Sequence, residues 1–329
     1  MSLPVSICLT TYNRGHCLPA TIDSIVGQSF GDFELIISDD CSSDHTEEVC
    51  DDYVARDRRI LYFRNPRNLG MPGNLNKAIS LARGEYIANL HDGDVFDPNL
   101  ILKWKAALDE VSEAPFVFNA YLWLPWSGKP QICMAPFDQP EFQPDGLRVP
   151  GRTIAYHYFR TVSSCVWGTV MARRSAYEMA GPFDATFAFI SDTDMWLRLS
   201  RHKTIAYIAE PLMTLRPREG GHPYAYPSWQ HILWEFAIFA RHWPAYCYEL
   251  PQELAADYHL RLRRRMLHAM GSLIKHRKWQ RVREGLSVWT VSPDPVLRAI
   301  GKMCAGSLTS PPAWLDSGLW SKAYNLIST

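Results

Sequence analysis

The chain has 329 residues, enough for one large domain with a smaller companion or for two modest ones. Apolar residues make up 47% and charged ones 21%, with Lys+Arg and Asp+Glu equal at 34 each, which excludes an intrinsically disordered chain and a protein that coats nucleic acid. No apolar run approaches the roughly 18 residues of a membrane-spanning helix, and Met1 to Pro4 is not a basic stretch followed by an apolar one, so neither a spanning segment nor a signal peptide is expected. The eight cysteines show no CxxC pair and no metal-finger spacing, as expected of reduced cytosolic thiols.

Along the first ninety residues short β-rich runs alternate with helical patterns. Val5 to Thr10 (VSICLT) reads as a buried strand, and His16 to Gln28 as a helix with Leu18, Ile22, Ile25 and Val26 on one face. A second strand follows at Phe33 to Ser38. A helix then opens at Asp44 and Thr46 and runs through Arg56, with Glu47 and Glu48 where the helix dipole favours acids. A strand at Ile60 to Arg64, a helix at Gly73 to Arg83 and a strand at Glu85 to Leu90 complete a βαβαβαβ order, which calls for a parallel sheet covered on both faces.

Beyond Leu90 a helix is predicted over Asn99 to Val111 and a strand over Phe116 to Trp123. The six prolines between Pro125 and Pro150 predict a long irregular loop. Regular structure is expected again at Ser164 to Arg173, Ser175 to Ala180, Asp192 to Arg201 and Ile205 to Glu210. From about Pro227 the pattern is helical, with breaks near Pro244, Pro251, Pro293 and Pro311-Pro312. The expected division is residues 1–226 for the α/β domain and 227–329 for a helical region.

In open parallel sheets ligands bind beyond the carboxyl ends of the strands. Here those ends read Thr10-Thr11-Tyr12-Asn13-Arg14, Asp39-Asp40-Cys41-Ser42-Ser43-Asp44 and His91-Asp92-Gly93-Asp94. Neither a GxGxxG nor a GxxxxGK[ST] loop follows the first strand, so a dinucleotide Rossmann unit and a P-loop are excluded. A Tyr and an Asp at such a rim can stack on a base and accept from its ring N–H or from ribose hydroxyls. Asp39 and Asp44 also read as ordinary turn and helix-cap residues. Asp92 and Asp94, one residue apart across a glycine, can hold a hard divalent cation that also takes diphosphate oxygens. Asp192 and Asp194 fall in the first turn of a helix whose Met195, Trp196 and Leu199 face inward. They read either as caps or as the source of a general base for a sugar hydroxyl.

Together the strings VSICLTTYNR, FELIISDDCSSDHT, NLGMPGNLNKAI, GEYIANLHDGDVFDP and GPFDATFAFISDTDMWLRL resemble family 2 of the glycosyltransferases over roughly residues 3–216. The resemblance implies the GT-A fold, a Rossmann-like, mixed but mostly parallel sheet flanked by helices, here with a C-terminal helical extension. It also implies inverting transfer from a nucleotide-diphosphate sugar to an acceptor hydroxyl in polysaccharide, lipopolysaccharide or other glycoconjugate assembly. By position it gives Thr10, Tyr12 and Asp39, with Arg14 beside them and Asp92 nearby, to the donor nucleotide. Asp92 and Asp94 would hold Mn²⁺ or Mg²⁺, and Asp192 would be the base. Arg216, Arg218 and His222 are candidates for diphosphate or acceptor contacts. Two departures stand out: Gly93 replaces a frequent Asp, and Ser191 replaces the acidic neighbour of the base.

Residues 227–329 carry no motif of the family. Trp229, Trp234, Phe236, Phe239 and Trp243 form an aromatic helix, read as core or interface rather than a sugar platform. Residues 256–303 hold eleven Lys/Arg against Asp257, Glu284 and Asp294, a net of +8 that leaves −8 for the rest. Such a basic helical run suits contact with anionic lipid, hence a cytoplasmic protein peripheral at the inner face of the membrane with a glycan or lipid-linked acceptor. Nucleic acid is not an expected partner, because the aromatics do not interleave with the basic residues as a stacking surface requires. The alternatives are a sugar-1-phosphate nucleotidyltransferase, which needs a Gly-rich basic loop after the first strand, and a non-catalytic nucleotide-sugar-binding protein.

Overall fold

The computed structural model describes residues 3–127, 129–135, 137, 140–166, 168–201, 203–216, 229–276, 278–290, 292 and 294–305. Contacts gather the chain into two units, one of Met1–Tyr158 with Ser164–Gly221, the other of Phe159–Ser163 with His222–Thr329.

The first unit is built on β1 (Val5–Thr11), α1 (Leu18–Val26), β2 (Phe33–Asp39), α2 (Thr46–Arg56), β3 (Ile60–Arg64), α3 (Gly70–Leu81) and β4 (Tyr86–His91). Then come β5 (Val95–Phe96), α4 (Leu100–Glu110), β6 (Phe116–Trp123), β7 (Gln131–Cys133), β8 (Arg148–Pro150) and α5 (Arg152–Thr161). The series closes with β9 (Val170–Arg173), α6 (Arg174–Ala180), α7 (Ser191–Ser200) and β10 (Thr204–Leu215). One sheet runs in the order β3-β2-β1-β4-β9-β6-β10-β5, with β7 added to β6 and β8 to β10. The longest ladders, β1 with β2, β1 with β4 and β6 with β10, are parallel; β9 enters antiparallel between β4 and β6. This is the mixed, mostly parallel sheet flanked by helices that the resemblance implies.

Burial explains why the central strands read as unbroken apolar runs. All seven residues of β2 and all but Thr10 in β1 are buried, as strands covered on both faces require. The polar residues that interrupt them are satisfied in place. Ser6 donates to Glu34 at 2.6 Å, and Glu34 in turn takes Arg83 Nε at 2.9 Å.

Three expectations need correction. Inside the proline-rich stretch, β7 and β8 form as short antiparallel additions, where a three-residue ladder suffices between prolines. The interval before β9 carries a helix, α5, absent from the sequence reading. Its buried Ile154, Ala155, Tyr158 and Phe159 do follow helical spacing, but behind Pro150 and among aromatics the pattern is weak. Within the segment expected to be regular from Ser164 to Arg173, the described residues form a strand only over Val170–Arg173.

The second unit holds α8 (Trp229–Tyr246), α9 (Glu253–Lys275), α10 (Trp279–Trp289) and α11 (Pro295–Ala305). Pro244 stands in the last turn of α8, which ends two residues later at Tyr246, in keeping with the break expected there. Pro293, Pro311 and Pro312 lie outside the described residues. Phe239 stacks on Trp243 at 5.3 Å and on Tyr258 at 4.7 Å, and Phe236 is buried, so these aromatics form this unit's core. Among the described residues no helix is long and apolar enough to cross a membrane.

Candidate active site at the strand ends

β1, β2 and β4 end side by side, with Thr10 in register with His91 and Thr11 with Asp39. After β1 the chain turns through Asn13, whose φ of 52 is tolerated by a short polar side chain. The turn is laced to the loop after β2. Asn13 N–H donates to Ser42 Oγ at 2.8 Å, Ser43 N–H donates to Asn13 Oδ1 at 2.7 Å, and Gly15 N–H donates to Asp44 Oδ2 at 3.0 Å. Burial opposes the charge on Asp44, but bonds from Thr46 and Gly15 outweigh it and hold the carboxyl below the usual range. Asp44 precedes the N-cap His45 and accepts from Thr46 N–H at 3.1 Å at the start of α2, and it also joins the two loops. Tyr12 is left at the rim, 48% exposed, as a ring available for stacking.

Asp39 is closed to solvent. Its Oδ1 accepts from the backbone N–H and the hydroxyl of Ser42, and its Oδ2 accepts from Tyr62 OH at 2.8 Å, with Arg64 Nε at 3.7 Å. Of the roughly four acceptor sites of a carboxylate, three are thus met by protein donors. Burial and the bond to Asp39 keep the Tyr62 phenol protonated.

The turn after β4 is held from beneath by α1. Thr21 Oγ1 accepts from Gly93 N–H at 3.0 Å and donates to the Asp94 carbonyl at 2.8 Å. Gly93 has φ of +89, and a methyl there would lie 2.7 Å from Arg14 Nη2. The positive φ therefore favours glycine here, while the atom a methyl would meet is the movable end of the Arg14 side chain. Asp92 and Asp94 are nearly buried, and Asp92 Oδ1 stands 3.8 Å from Arg14 Nε. That nitrogen is buried and makes no hydrogen bond, so a cationic group faces the turn with donor capacity in hand. Among the described residues no group of three or more His, Cys, Asp and Glu is arranged to hold a metal ion. Two adjacent carboxylates nevertheless fit a hard cation that draws its remaining oxygens from a diphosphate.

Asp192 and Asp194 share a turn but not an environment. Asp194 is fully buried and accepts from Arg198 Nε at 3.0 Å, while Arg198 also donates to the Pro182 carbonyl at 2.9 Å. It braces α7. Asp192 is half-buried, its Oδ1 accepting from Thr193 N–H at 2.7 Å. α7 is fixed by Trp196, which packs on Phe116 and Phe183 with ring centroids 5.4 and 5.9 Å away. Asn76 on α3 clamps Phe183, donating to its carbonyl at 2.9 Å and accepting from its N–H at 2.8 Å. Next to β9, Gly168 brings the two ends of the site together. A methyl on it would lie 2.7 Å from His91 Nε2 and 3.6 Å from Asp192 Oδ2.

Of the residues picked from the sequence, Thr10, Tyr12, Arg14, Asp39, Asp92 and Asp94 gather at neighbouring strand ends, and Asp192 reaches the same end beside His91. Arg216 is exposed directly after β10, whose Thr214 pairs with Val95 next to Asp94. Arg218 and His222 lie outside the described residues. Thr21, Ser42, Tyr62 and Gly168 were not picked. Thr21, Tyr62 and Gly168 act through contacts distant in sequence and Ser42 through Asp39 as well as Asn13, and only the strand periodicity at Tyr62 hints at a side chain reaching the rim.

Residues 6–178 match the family model for glycosyl transferase family 2. The chain belongs to that family. A family relative, the GalNAc(5)-diNAcBac-PP-undecaprenol beta-1,3-glucosyltransferase of Campylobacter jejuni, is 41% identical over 91 residues, which cover 27% of this chain and 29% of the relative. Matches to further curated relatives span 34% to 43% of their own length. The S. aureus TarS 1-349 structure in complex with UDP-GlcNAc superposes with a TM-score of 0.65 at 17% identity, covering 99% of this chain and 90% of that one. The mannosyltransferase PcManGT from Pyrobaculum calidifontis, in complex with GDP-Man and Mn2+, superposes with a TM-score of 0.53 at 15% identity, covering 98% and 86%. This family 2 chain therefore has the GT-A fold.

Proposed function

We propose that this chain transfers a sugar from a nucleotide-diphosphate donor to an acceptor hydroxyl with inversion, using Asp192 as general base. The observation that carries the reading is the meeting of Asp192 with the end of β4, where Asp92 faces Arg14. Tyr12 stacks on the base, and the Thr10 and Asp39 region receives the nucleoside. Arg14 turns its buried donor toward the diphosphate. Asp192, half-exposed on a braced helix, takes the proton of the acceptor hydroxyl as that oxygen attacks the anomeric carbon opposite the leaving nucleotide. Asp92 and Asp94 would hold Mn²⁺ or Mg²⁺, which supplies positive charge against the departing diphosphate. Ser191 gives no carboxylate repulsion to raise the pKa of the base from its own side.

Asp192→Asn tests the assignment. Nucleotide release should fall by roughly a hundredfold or more, the usual contribution of a positioned base, while calorimetric affinity for the donor nucleotide stays unchanged. Turnover that survives the substitution would refute it.

The acceptor we infer is a glycan or lipid-linked glycan met at an anionic membrane surface. In the second unit Arg264, Arg265, Lys275, Lys278, Arg281 and Arg283 are exposed. Asp294 is buried and paired with Arg263 at 2.9 Å, so this neutral pair leaves the net of +8 to the rest of the stretch. The Campylobacter relative, named for an undecaprenol-linked substrate, supports this choice.

A further inference from the structure

Gly168 is buried and its backbone is outside the left-handed region, so the need for glycine there is one of space. A Cβ at this position would stand 2.4 Å from His91 Cε1 and 2.7 Å from His91 Nε2, well inside contact distance, and 3.6 Å from Asp192 Oδ2, an ordinary contact. The missing methyl thus makes room for one thing above all, the edge of an imidazole that borders the same small volume as the carboxylate. His91 is the last residue of β4, and its backbone is fixed by the ladder to Thr10. Asp192 has its Oδ1 held by Thr193 N–H, and Oδ2 is the oxygen turned toward Gly168 and the ring.

We propose that His91 is a positioning residue for Asp192, admitted to its place by Gly168, and that its ring edge sets the orientation of the Asp192 carboxylate toward the acceptor hydroxyl. The inference rests on Asp192 being the base. It replaces orientation from an acidic neighbour, which Ser191 cannot give, with orientation from across the site. Small displacements of a reacting group are expensive: a misplacement of about 1 Å can cost a hundredfold in rate. His91 adjoins the acidic turn, so a direct contact with the donor is the rival role, and the test must separate the two.

His91→Ala, His91→Gln, Gly168→Ala and the double variant His91→Ala/Gly168→Ala are compared with wild type. Turnover is read as nucleotide release from UDP-GlcNAc or GDP-mannose with Mn²⁺, water serving as acceptor, and affinity is read by calorimetry with UDP or GDP. Melting temperatures identify any variant that fails to fold. The expected result is a fall in kcat of roughly ten- to a hundredfold in His91→Ala and in Gly168→Ala, with nucleotide Kd and donor KM unchanged and partial recovery in His91→Gln. The double variant should be no slower than His91→Ala, because the added methyl then has no ring to displace. Losses that multiply in the double variant, or a weakened nucleotide Kd in His91→Ala, would overturn the proposal, the second making His91 a donor contact. Asp192→Asn, run alongside, separates the levels. If it keeps turnover, the base assignment and this inference fall together; if it loses turnover while the His91 and Gly168 effects are independent, only this inference falls.

Discussion

Thr21 and Asp94 lie 73 positions apart, yet the Thr21 hydroxyl donates to the Asp94 carbonyl at 2.8 Å while accepting from the neighbouring Gly93 N–H. One side chain on α1 therefore fixes the backbone of the turn that carries both acidic residues. Thr21→Val keeps the shape but leaves a buried donor and acceptor unpaired, at a cost of about 1–3 kcal/mol. We expect a lower urea midpoint together with weaker Mn²⁺ binding, followed by manganese paramagnetic resonance, and recovery of both in Thr21→Ser. Unchanged metal affinity in a destabilised Thr21→Val would mean that the turn holds its shape without α1.

Tyr62 gives Asp39 Oδ2 its hydrogen bond in the region where we propose that the nucleoside sits. Tyr62→Phe strips that donor from a carboxylate closed to solvent, again at about 1–3 kcal/mol. The expected outcome is a several-fold weaker Kd for the nucleoside diphosphate with kcat little changed, since Tyr62 is remote from Asp192 in the fold. A fall in kcat at constant Kd would contradict this separation of roles.

Acid stability turns on Glu34. Burial opposes its charge, but hydrogen bonds from Arg83 and Ser6 prevail and hold its pKa below the ordinary 4.5. The unfolded chain therefore takes up this proton at higher pH than the folded one. Stability from Glu34 is complete above about pH 4.5 and is lost as pH falls through the lower folded value. Glu34→Gln should lower the melting temperature near neutrality and flatten its decline below about pH 4.5. An unaltered acid limb in the melting profile would assign acid sensitivity to other carboxylates.

The basic second unit should sediment with vesicles containing phosphatidylglycerol and not with purely zwitterionic ones. Binding should weaken as salt shortens the Debye length from about 30 Å at 0.01 M to about 8 Å at 0.15 M. Replacing Arg264, Arg265, Lys275 and Lys278 by Gln should abolish sedimentation without changing nucleotide affinity. Failure of the wild-type chain to bind at low salt ends the membrane reading.

Much of this fold is legible in the sequence because parallel strands buried on both faces must be apolar along their length. β3 and β6 fall where their residues predict, and β1, β2 and β4 shift only by a residue at an end. The candidate site is legible for the residues that follow strands, since topology alone makes those positions a rim. What the sequence hides are partners chosen by distance in space. Nothing in the text around Gly168 announces that an imidazole from β4 needs the volume of its absent methyl. Nothing around Thr21 says that its hydroxyl lies under Gly93 rather than facing its own helix. α5 is hidden for another reason: its apolar face is made of Tyr and Phe as well as Ile, residues equally at home in a strand.

The antiparallel entry of β9 between β4 and β6 also sets an order of assembly. β1 through β4 pair with one another in the ladder β3-β2-β1-β4, which needs no strand beyond His91, so the end of the sheet where we propose that the nucleoside sits can form before the later strands. The loop with Gly168 and the helix with Asp192 dock only once Val170–Arg173 has been made and inserted. On the proposed reading, a nascent chain would acquire the nucleotide-holding end of the site before the base.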